Sequence, residues 1–475
     1  MTFTSAAFVC FFILFFILYW SVNKNLKLQN ILILVASYVF YGWWDYRFLF
    51  LMFFSSMVDF IIGYYIYQST VKLHRRILMA TALVMNLGLL FYFKYYNFFV
   101  GTFSDMLISF GMEPDKMALD VLLPVGISFY TFQTLSYSLD VYKNKLKPTS
   151  SILDFLSFVS FFPQLVAGPI ERAGKLLPQI SKSRVFNYEQ AASGVRLILY
   201  GFFKKLVVAD TLASRVSMIF DAPEKHTGIE TVVGAMFFLI QLYLDFSAYS
   251  DIAKGTARIL GVELMTNFET PFFATSIPEF WRRWHISLTT WFRDYLFVPI
   301  VKLNFDNVIW RVFSTVFLFV VIGFWHGANM TFIIFGTLMG ICFIPTHLSK
   351  KINWIKQIIK QFNTNPYLMP IAAFFTFTLV ALISVLFRSN NVKGAMRLYE
   401  NILHAPFWGM EEYMHRVFPL LIGFFIFEWF MRNKEYQFDI KKFPKLLRVV
   451  IYSGLIIAIL LFGNFGEEPF YYFQF

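Results

Sequence analysis

Apolar runs of about 20 residues recur along the whole chain, and short polar segments rich in lysine and arginine separate them. Each run is long enough to cross a bilayer as a helix. Strands of a β-barrel would alternate apolar and polar residues, and these runs do not. The pattern therefore predicts an all-α polytopic membrane protein with about a dozen transmembrane helices, near residues 7–20, 31–44, 48–67, 77–100, 123–142, 195–220, 232–261, 308–324, 330–345, 367–387, 416–431 and 449–462.

Basic residues indicate how these helices are oriented. Lysine and arginine concentrate in alternate short loops, as the positive-inside rule predicts for cytoplasmic loops. The first run has no basic residue before it and no small-residue cleavage site after it, so we expect a retained first helix with the N-terminus outside. We expect one membrane domain over residues 1–475, with N-terminal helices in 1–115, a motif-bearing core in 116–345 and C-terminal helices in 346–475.

The composition agrees with this class: 58% of residues are hydrophobic, and 15% are charged, against roughly 25% in soluble domains. The net charge of +12 lies in the loops and not in a basic domain interleaved with aromatic residues, so we expect no nucleic-acid partner. Cys10 and Cys342 lie in separate apolar runs and are expected to be packing residues. No motif with metal-ligand spacing is present in the sequence, and we expect no metal.

One apolar run is interrupted by two prolines and a glycine, in FFPQLVAGPIER (161–172). Proline breaks helical hydrogen bonding, and freed backbone groups inside a membrane must be covered by protein or line a cavity. Two structures fit this segment equally well. One is a half-helix that lines a cavity, and the other is a loop between two short helices at the inner face.

Two lysines, Lys204 and Lys205, lie within the run 195–220. Lysines near a helix end commonly extend to the interface, and this is the favoured interpretation. The alternative is that they contact an anionic donor at the cytoplasmic mouth.

The run 232–261 contains QLYLDFSAYSDIAKG, a polar stripe inside an apolar helix. Gln241, Asp245 and Tyr249 are four residues apart, so they share a face that should point into the helix bundle. Asp251 can pair with Lys254 three residues later. We favour a structural tie for Asp251, while Asp245 fits a tie or a tunnel-lining residue equally well.

The segment PEFWRRWHISLTTWFRDYLF (278–297) is predicted to be a continuous amphipathic helix. Helical spacing places two stripes on it: aromatic and apolar residues (Trp281, Trp284, Leu288, Trp291, Tyr295) beside polar residues (Arg282, His285, Thr289, Arg293). Glu279 is placed to pair with Arg282 or Arg283. The helix suits a membrane interface or the wall of a polar cavity. His285 is a candidate catalytic residue, against the alternative of an interfacial histidine that touches no substrate.

The second histidine, His326 in FWHGAN (324–329), interrupts two strongly apolar runs. A neutral imidazole in a low-dielectric site can take a proton from a hydroxyl and return it, as a general base does. His326 is therefore the leading catalytic candidate, against the alternative of a histidine satisfied in a packing site. Gly323 and Gly327 flank it and would let the backbone approach a ligand or another helix.

Five motifs in this order, LPVGISFYTFQ, FFPQLVAGPIER, DFSAYSDIA, PEFWRRWHISLTTWFRDYLF and FWHGAN, resemble the membrane-bound O-acyltransferases, and within them the bacterial alginate O-acetylation branch. The tail EEPFYYFQF (467–475) is also similar to that branch. The motifs run from about residue 120 to the C-terminus, while the first hundred residues match only in hydropathy.

The resemblance implies helices around a central tunnel, acetyl-CoA or another acyl-CoA as a cytoplasmic donor substrate, and no permanently bound cofactor. It also implies a bacterial inner-membrane location and a periplasmic SGNH-hydrolase-like partner that completes transfer to the glycan. His326 matches the essential histidine of the family, and His285 matches its second polar position. Further tunnel or substrate residues are inferred at Trp325, Asn329, Arg282, Arg283 and Asp245.

The basic runs 350–360 and 432–448 both belong inside, so hydropathy places His326 near an outer turn. Because the family role requires access from both faces, we expect the preceding helix to be tilted or broken and the outer face to be funnelled inward. Two chemistries remain open: base-assisted transfer from the thioester to a hydroxyl, or relay through an acyl-enzyme on His326.

The sequence leaves three functions to separate. The first is O-acetylation of an exopolysaccharide such as alginate, and the second is O-acetylation of peptidoglycan by the same branch. The third, from another class, is a transporter of lipid-linked glycans, because broken helices and buried charges also mark transport sites. No obvious internal repeat is seen in the sequence, which weakens the transporter hypothesis.

Overall fold

The computed structural model describes residues 1–112, 119, 122–406, 408–410, 415, 417–432, 438, 440, 441, 443–466, 470 and 471. Every regular element among these residues is a helix, which confirms the all-α prediction. Some segments used above extend outside this part of the chain. They are the basic run 432–448, in part, and the tail 467–475, all of it except Phe470 and Tyr471.

One compact unit comprises Met1–Val195 and Ile252–Met265. Its helices are α1 (Ala6–Ser21), α2 (Leu26–Gly42), α3 (Arg47–Gln68), α4 (Lys72–Leu90), α5 (Tyr96–Ser109), α6 (Ile127–Tyr142), α7 (Ile152–Ser160), α8 (Phe162–Leu165), α9 (Ala173–Ile180) and the first half of α10 (Tyr188–Phe202). A wider helical turn, Phe91–Tyr95, joins α4 to α5 without interruption.

The second unit comprises Arg196–Asp251 and Thr266–Phe475. Its helices are the end of α10, α11 (Asp210–Asp221), most of α12 (Gly228–Ile259), α13 (Ile277–Arg283), α14 (Ile286–Phe292), α15 (Val298–Val301), α16 (Val308–His326), α17 (Met330–Ile341), α18 (Ile344–Leu348), α19 (Asn353–Thr364), α20 (Met369–Arg388), α21 (Val392–His404), α22 (Phe418–Met431) and α23 (Lys445–Phe462). A wider turn, Phe203–Ala209, joins α10 to α11.

Seven helices of the described residues are long and apolar enough to cross a membrane, and three more are apolar but shorter. These ten helices match ten of the predicted runs. The other two predicted runs are helical, but neither meets these criteria for a span. In 123–142 the helix α6 begins only at Ile127, after Gly126 takes a left-handed φ of 78°. In 195–220 the buried Lys204 and Lys205 lower the apolarity.

The interrupted segment 161–172 is buried in the first unit, and its interruption is covered by protein. Its one-turn helix α8 places Phe162 among the rings of α1 and α2, with centroid distances of 5.5 to 5.6 Å to Phe11, Phe15 and Phe40. The Phe162 N–H donates to the Ser37 hydroxyl at 3.1 Å. Short helices α7 and α9 flank it. The structure therefore agrees with the second alternative in having short helices around the interruption. These helices are closely packed against other parts of the protein.

In the second unit, α16 and α17 form an antiparallel hairpin whose backbones touch. A Cβ atom on Gly323 would collide with the carbonyl oxygen of Phe332, and one on Gly336 with that of Phe319. A Cβ atom on Gly340 would lie 2.7 Å from the Val316 Cα. Small residues allow this close approach of membrane helices, which gain dispersion energy from it. Gly323 thus serves approach to another helix, one of the two roles expected from the sequence.

Candidate active site

The segment 278–297 is not one continuous helix, and the predicted pair of stripes along it is wrong. Helix α13 ends at Arg283, Trp284 is extended, and His285 adopts a left-handed conformation with φ of 43° before α14 begins. A left-handed residue with a side chain costs roughly 1 kcal/mol or more, so other contacts must hold His285 in this conformation.

Asn267 supplies those contacts from the loop that follows α12. Its carbonyl oxygen accepts the Ile286 N–H at 2.9 Å, and its side-chain oxygen accepts the Ser287 N–H at 3.2 Å. The Asn267 amide in turn donates to the Ser250 hydroxyl on α12 at 3.3 Å. Asn267 therefore caps α14 in place of the His285 side chain, which leaves the imidazole to point into the protein.

We expect Asn267→Ala to lower kcat/KM roughly 100-fold, because a displacement of a site residue by about 1 Å has that order of effect. The loss of the cap should reduce stability by only about 1 kcal/mol. Acetyl transfer and the midpoint of thermal unfolding, measured on the same purified variant, separate the two effects. Asn353→Ala on the exposed face of α19 is the matched control and should change neither. An Asn267→Ala enzyme with full activity would show that the clamp does not position His285.

The His285 ring is completely buried among aromatic side chains. Phe246 of α12 meets it edge-on at a centroid distance of 4.7 Å, and Phe268 stacks at 6.4 Å. Burial in this apolar surrounding lowers the pKa of His285 to about 3. His285 is therefore a neutral imidazole at physiological pH, which can offer one N–H donor and one acceptor nitrogen.

His326 is the last residue of α16 and is only 4% exposed. Its ring contacts Trp325 at a centroid distance of 4.9 Å and Phe387 of α20 at 5.0 Å, both edge-on. The His285 and His326 rings are neighbours, with centroids 6.4 Å apart. Two histidines that are 41 positions apart in the sequence therefore converge in one buried aromatic site.

A narrow cavity of about 20 Å³ reaches His326, and this volume is on the scale of one water molecule. Its other lining side chains are apolar or aromatic apart from Ser384, and they come from α12, α13, the residue after α13, α17 and α20. The position of His326 at the turn between α16 and α17 was expected. The structure adds that His326 itself is buried at this turn. Helix α16 is unbroken from Val308 to His326, so the break that was one of the two expectations for it is absent.

The two arginines inferred beside the site behave differently. Arg282 is exposed. Arg283 forms an ion pair with Glu279 at 2.6 Å, which is one of the two pairings predicted for Glu279. Trp325 is 4% exposed and lies 6.0 Å from the His285 ring, between centroids. Asn329 caps α17 by accepting the Thr331 N–H at 3.1 Å and donates to the Asn390 carbonyl at 2.7 Å. Trp325 is thus the member of this set that contacts both histidines.

Asp245 lies in a buried ion-pair cluster. Its carboxylate accepts from the Lys205 ammonium at 2.8 Å and from the Tyr471 N–H at 2.8 Å. Lys205 also pairs with Asp210 of α11 at 2.9 Å. Two roles were left open for Asp245, a structural tie and a tunnel-lining residue. Its contacts are those of a structural tie, because they join α11, α12 and the C-terminal segment.

Lys204 and Lys205 do not extend to an interface, and the favoured sequence interpretation of them is wrong. Both are at most 2% exposed. Lys204 pairs with Asp251 at 2.7 Å and donates to the Ser247 hydroxyl at 2.8 Å. Asp251 is therefore a structural tie as expected, and it is Lys204 that it pairs with at 2.7 Å. Asp245 and Asp251, the carboxylates on α12 that pair with the lysines, lie 40 residues or more further along the chain, beyond the reach of a local helical pattern.

Three site residues were not identified from the sequence: Asn267, Phe246 and Phe387. Asn267 lies in a loop, and no sequence motif around it indicates that it caps a helix that begins 19 positions later. The chain contains 63 phenylalanines, so their number gives no signal for the two that contact the histidines.

The chain is similar to several known proteins. A family model described as "MBOAT, membrane-bound O-acyltransferase family" matches residues 127–389. "Probable alginate O-acetylase AlgI" of Pseudomonas aeruginosa is 36% identical over 415 residues, which are 87% of this chain and 76% of the relative. "Peptidoglycan O-acetyltransferase" of Helicobacter pylori is 31% identical over 412 residues, 80% of this chain and 75% of the relative. "Teichoic acid D-alanyltransferase" of Bacillus subtilis is 26% identical over 283 residues, 56% and 69% of the two chains.

Proposed function

Since the chain belongs to the membrane-bound O-acyltransferase family, we propose that this multi-pass membrane enzyme moves an acetyl group across the membrane for O-acetylation of an extracytoplasmic polysaccharide. The observation that carries the proposal is the convergence of His285 and His326 in one buried site. The names of the relatives supply the acyl group and the acceptor class, alginate or peptidoglycan. Membership of an acyltransferase family favours an enzyme over a transporter of glycans.

In the proposed reaction, His326 acts as a general base. Its imidazole takes the proton of an acceptor hydroxyl as the oxygen attacks the thioester carbonyl, and it returns that proton to the departing thiolate. A new ester and a free thiol result, so no oxidant or further reactant is needed. The neutral His285 offers a hydrogen bond beside this centre. The alternative chemistry forms an acyl-imidazole on His326 first and passes the acetyl group on in a second step.

The proposed donor is acetyl-CoA or another acyl-CoA, bound from the cytoplasmic side of a bacterial inner membrane with the N-terminus outside. Basic runs such as 350–360 support that orientation. We further propose that a periplasmic SGNH-hydrolase-like partner takes the acetyl group to the final glycan. Cross-linking of the two proteins in intact cells tests this partner separately from the chemistry.

Acetate released by mild base identifies the acceptor. We expect envelope material from cells that carry this protein to contain base-labile acetate that is absent from a deletion strain. Exopolysaccharide and peptidoglycan are fractionated first, and the fraction that loses acetate on deletion names the pathway. Purified protein should also hydrolyse or exchange acetyl-CoA. Unchanged acetate in both fractions, with no turnover of acetyl-CoA, would refute the proposed function and favour a transporter.

A further inference from the structure

A second polar site lies at the opposite end of α16 from His326. Arg311 is in the first turn of this helix and is 8% exposed. Its Nε atom has no hydrogen-bond partner, and the guanidinium forms no ion pair with a carboxylate of the described residues. A buried charge without a partner is costly in a protein interior, and ionisable groups at membrane depth usually mark a functional site.

A second cation and a histidine lie beside Arg311. Its guanidinium carbon lies 5.7 Å from the centroid of the Phe305 ring, and the Lys350 ammonium lies 6.0 Å from the same centroid. His347 approaches through Thr315, whose hydroxyl lies 2.8 Å from His347 Nε2 and donates to the Arg311 carbonyl at 2.8 Å. Because that hydroxyl has one hydrogen, its oxygen accepts from Nε2–H. Two cations, Arg311 on α16 and Lys350 just after α18, therefore lie around one aromatic ring.

The site lies on the side of the basic run 350–360, which the positive-inside rule assigns to the cytoplasm. Arg311 and His326 are 15 residues apart on one unbroken helix, so they are separated by about 22 Å along its axis. The cluster therefore cannot take part in proton transfer at His326. A planar guanidinium with free donors and an ammonium beside it match the oxygens of a phosphate group.

We propose that Arg311, with Lys350 and the Phe305 ring, forms a cytoplasmic-side binding site for a phosphate group. Two sources carry that chemistry: the nucleotide of a phosphate-bearing donor, or the headgroup of an anionic membrane lipid, since basic pockets between membrane helices bind such headgroups. Only the first source rests on the proposed function. The site itself does not depend on acetyl transfer.

The test measures binding by thermal stabilisation of the purified full-length chain in neutral detergent. The probes are adenosine 3′,5′-bisphosphate, phosphatidylglycerol, and diacylglycerol with the same acyl chains but no phosphate. We expect saturable stabilisation by the bisphosphate or by phosphatidylglycerol, and none by diacylglycerol. The probe that stabilises identifies the source.

The variants decide whether Arg311 makes the site. Arg311→Gln should weaken the apparent affinity about tenfold or more, because charge-assisted hydrogen bonds are lost, and Arg311→Lys should weaken it less. Arg397→Gln removes the same charge from an exposed position on α21 and should leave affinity unchanged. If Arg311→Gln does not fold, Lys350→Gln at the exposed rim should still weaken binding about threefold.

Two results would overturn the proposal: stabilisation by neither phosphate probe, or equal affinity of the wild-type and substituted proteins. The same titration on His326→Ala protein separates this site from the proposed function. A phosphate site that persists there, in a protein without acetyl transfer, stands even if the proposed reaction is wrong.

Discussion

His326→Ala is expected to lower acetyl transfer by 10² to 10⁴-fold, the usual contribution of a general base. The side chain lies at the buried end of α16, where its ring contacts Trp325 and Phe387. Removal of the imidazole leaves a small cavity but no unpaired charge, so we expect the protein to remain inserted and folded. The measurements are base-labile acetate in the envelope and turnover of acetyl-CoA by purified enzyme, both normalised to the amount of protein in the membrane.

His404→Ala is the matched control, since His404 is exposed at the end of α21. It should retain full activity. His326→Gln adds a second comparison, because an amide fills part of the site and hydrogen-bonds but does not take up a proton. Activity of His326→Gln near the wild-type level would assign His326 a packing role and remove it from the proposed mechanism.

Lys205→Ala is expected to destabilise the protein by about 3–5 kcal/mol, the cost of breaking a buried ion pair by removal of one partner. The ammonium lies between the carboxylates of Asp210 and Asp245, and all three side chains are at most 4% exposed. Its loss leaves two buried carboxylates together. Since typical total stabilities are about 5–15 kcal/mol, we expect little protein in the membrane and a large fall in the midpoint of thermal unfolding.

Neutral substitutions at all three positions separate the effect of charge on stability from the effect of side-chain packing. Lys205→Met combined with Asp210→Asn and Asp245→Asn should recover most of the lost stability, because replaced buried ion pairs are often neutral in effect. Lys175→Ala removes the same charge from an exposed position on α9 and should change stability by less than about 0.5 kcal/mol. A Lys205→Ala protein as stable as the Lys175→Ala control would show that the ion pairs are dispensable.

Hydropathy placed the membrane helices well, because the length of an apolar run and the polar residues at its ends are local properties. The run 308–324 became the helix Val308–His326, and 367–387 became Met369–Arg388. The ends follow from capping residues that the sequence displays. Asn307 accepts N–H groups at the start of α16, and Asn329 does so at the start of α17.

Long-range contacts explain what the pattern missed. Periodicity through 278–297 favoured one helix, yet Asn267 stabilises a break at His285 through bonds that no local spacing encodes. By their position in the sequence, Lys204 and Lys205 resemble lysines at a membrane interface. The structure buries both of them, because each forms an ion pair with a carboxylate on α12. The two histidines were identified because buried ionisable groups in apolar runs are rare, whereas their aromatic neighbours were indistinguishable from the many others.

The glycine-lined hairpin of α16 and α17 has a consequence for how the protein is made. Its two helices are joined by the short turn 327–329, so the entropy lost in closing that loop is small. Local contacts of this kind form early in folding, and the glycines let the two helices pair before distant segments arrive. We therefore expect the end of α16 that carries His326 to be set during membrane insertion, before α20 closes over this proposed catalytic residue.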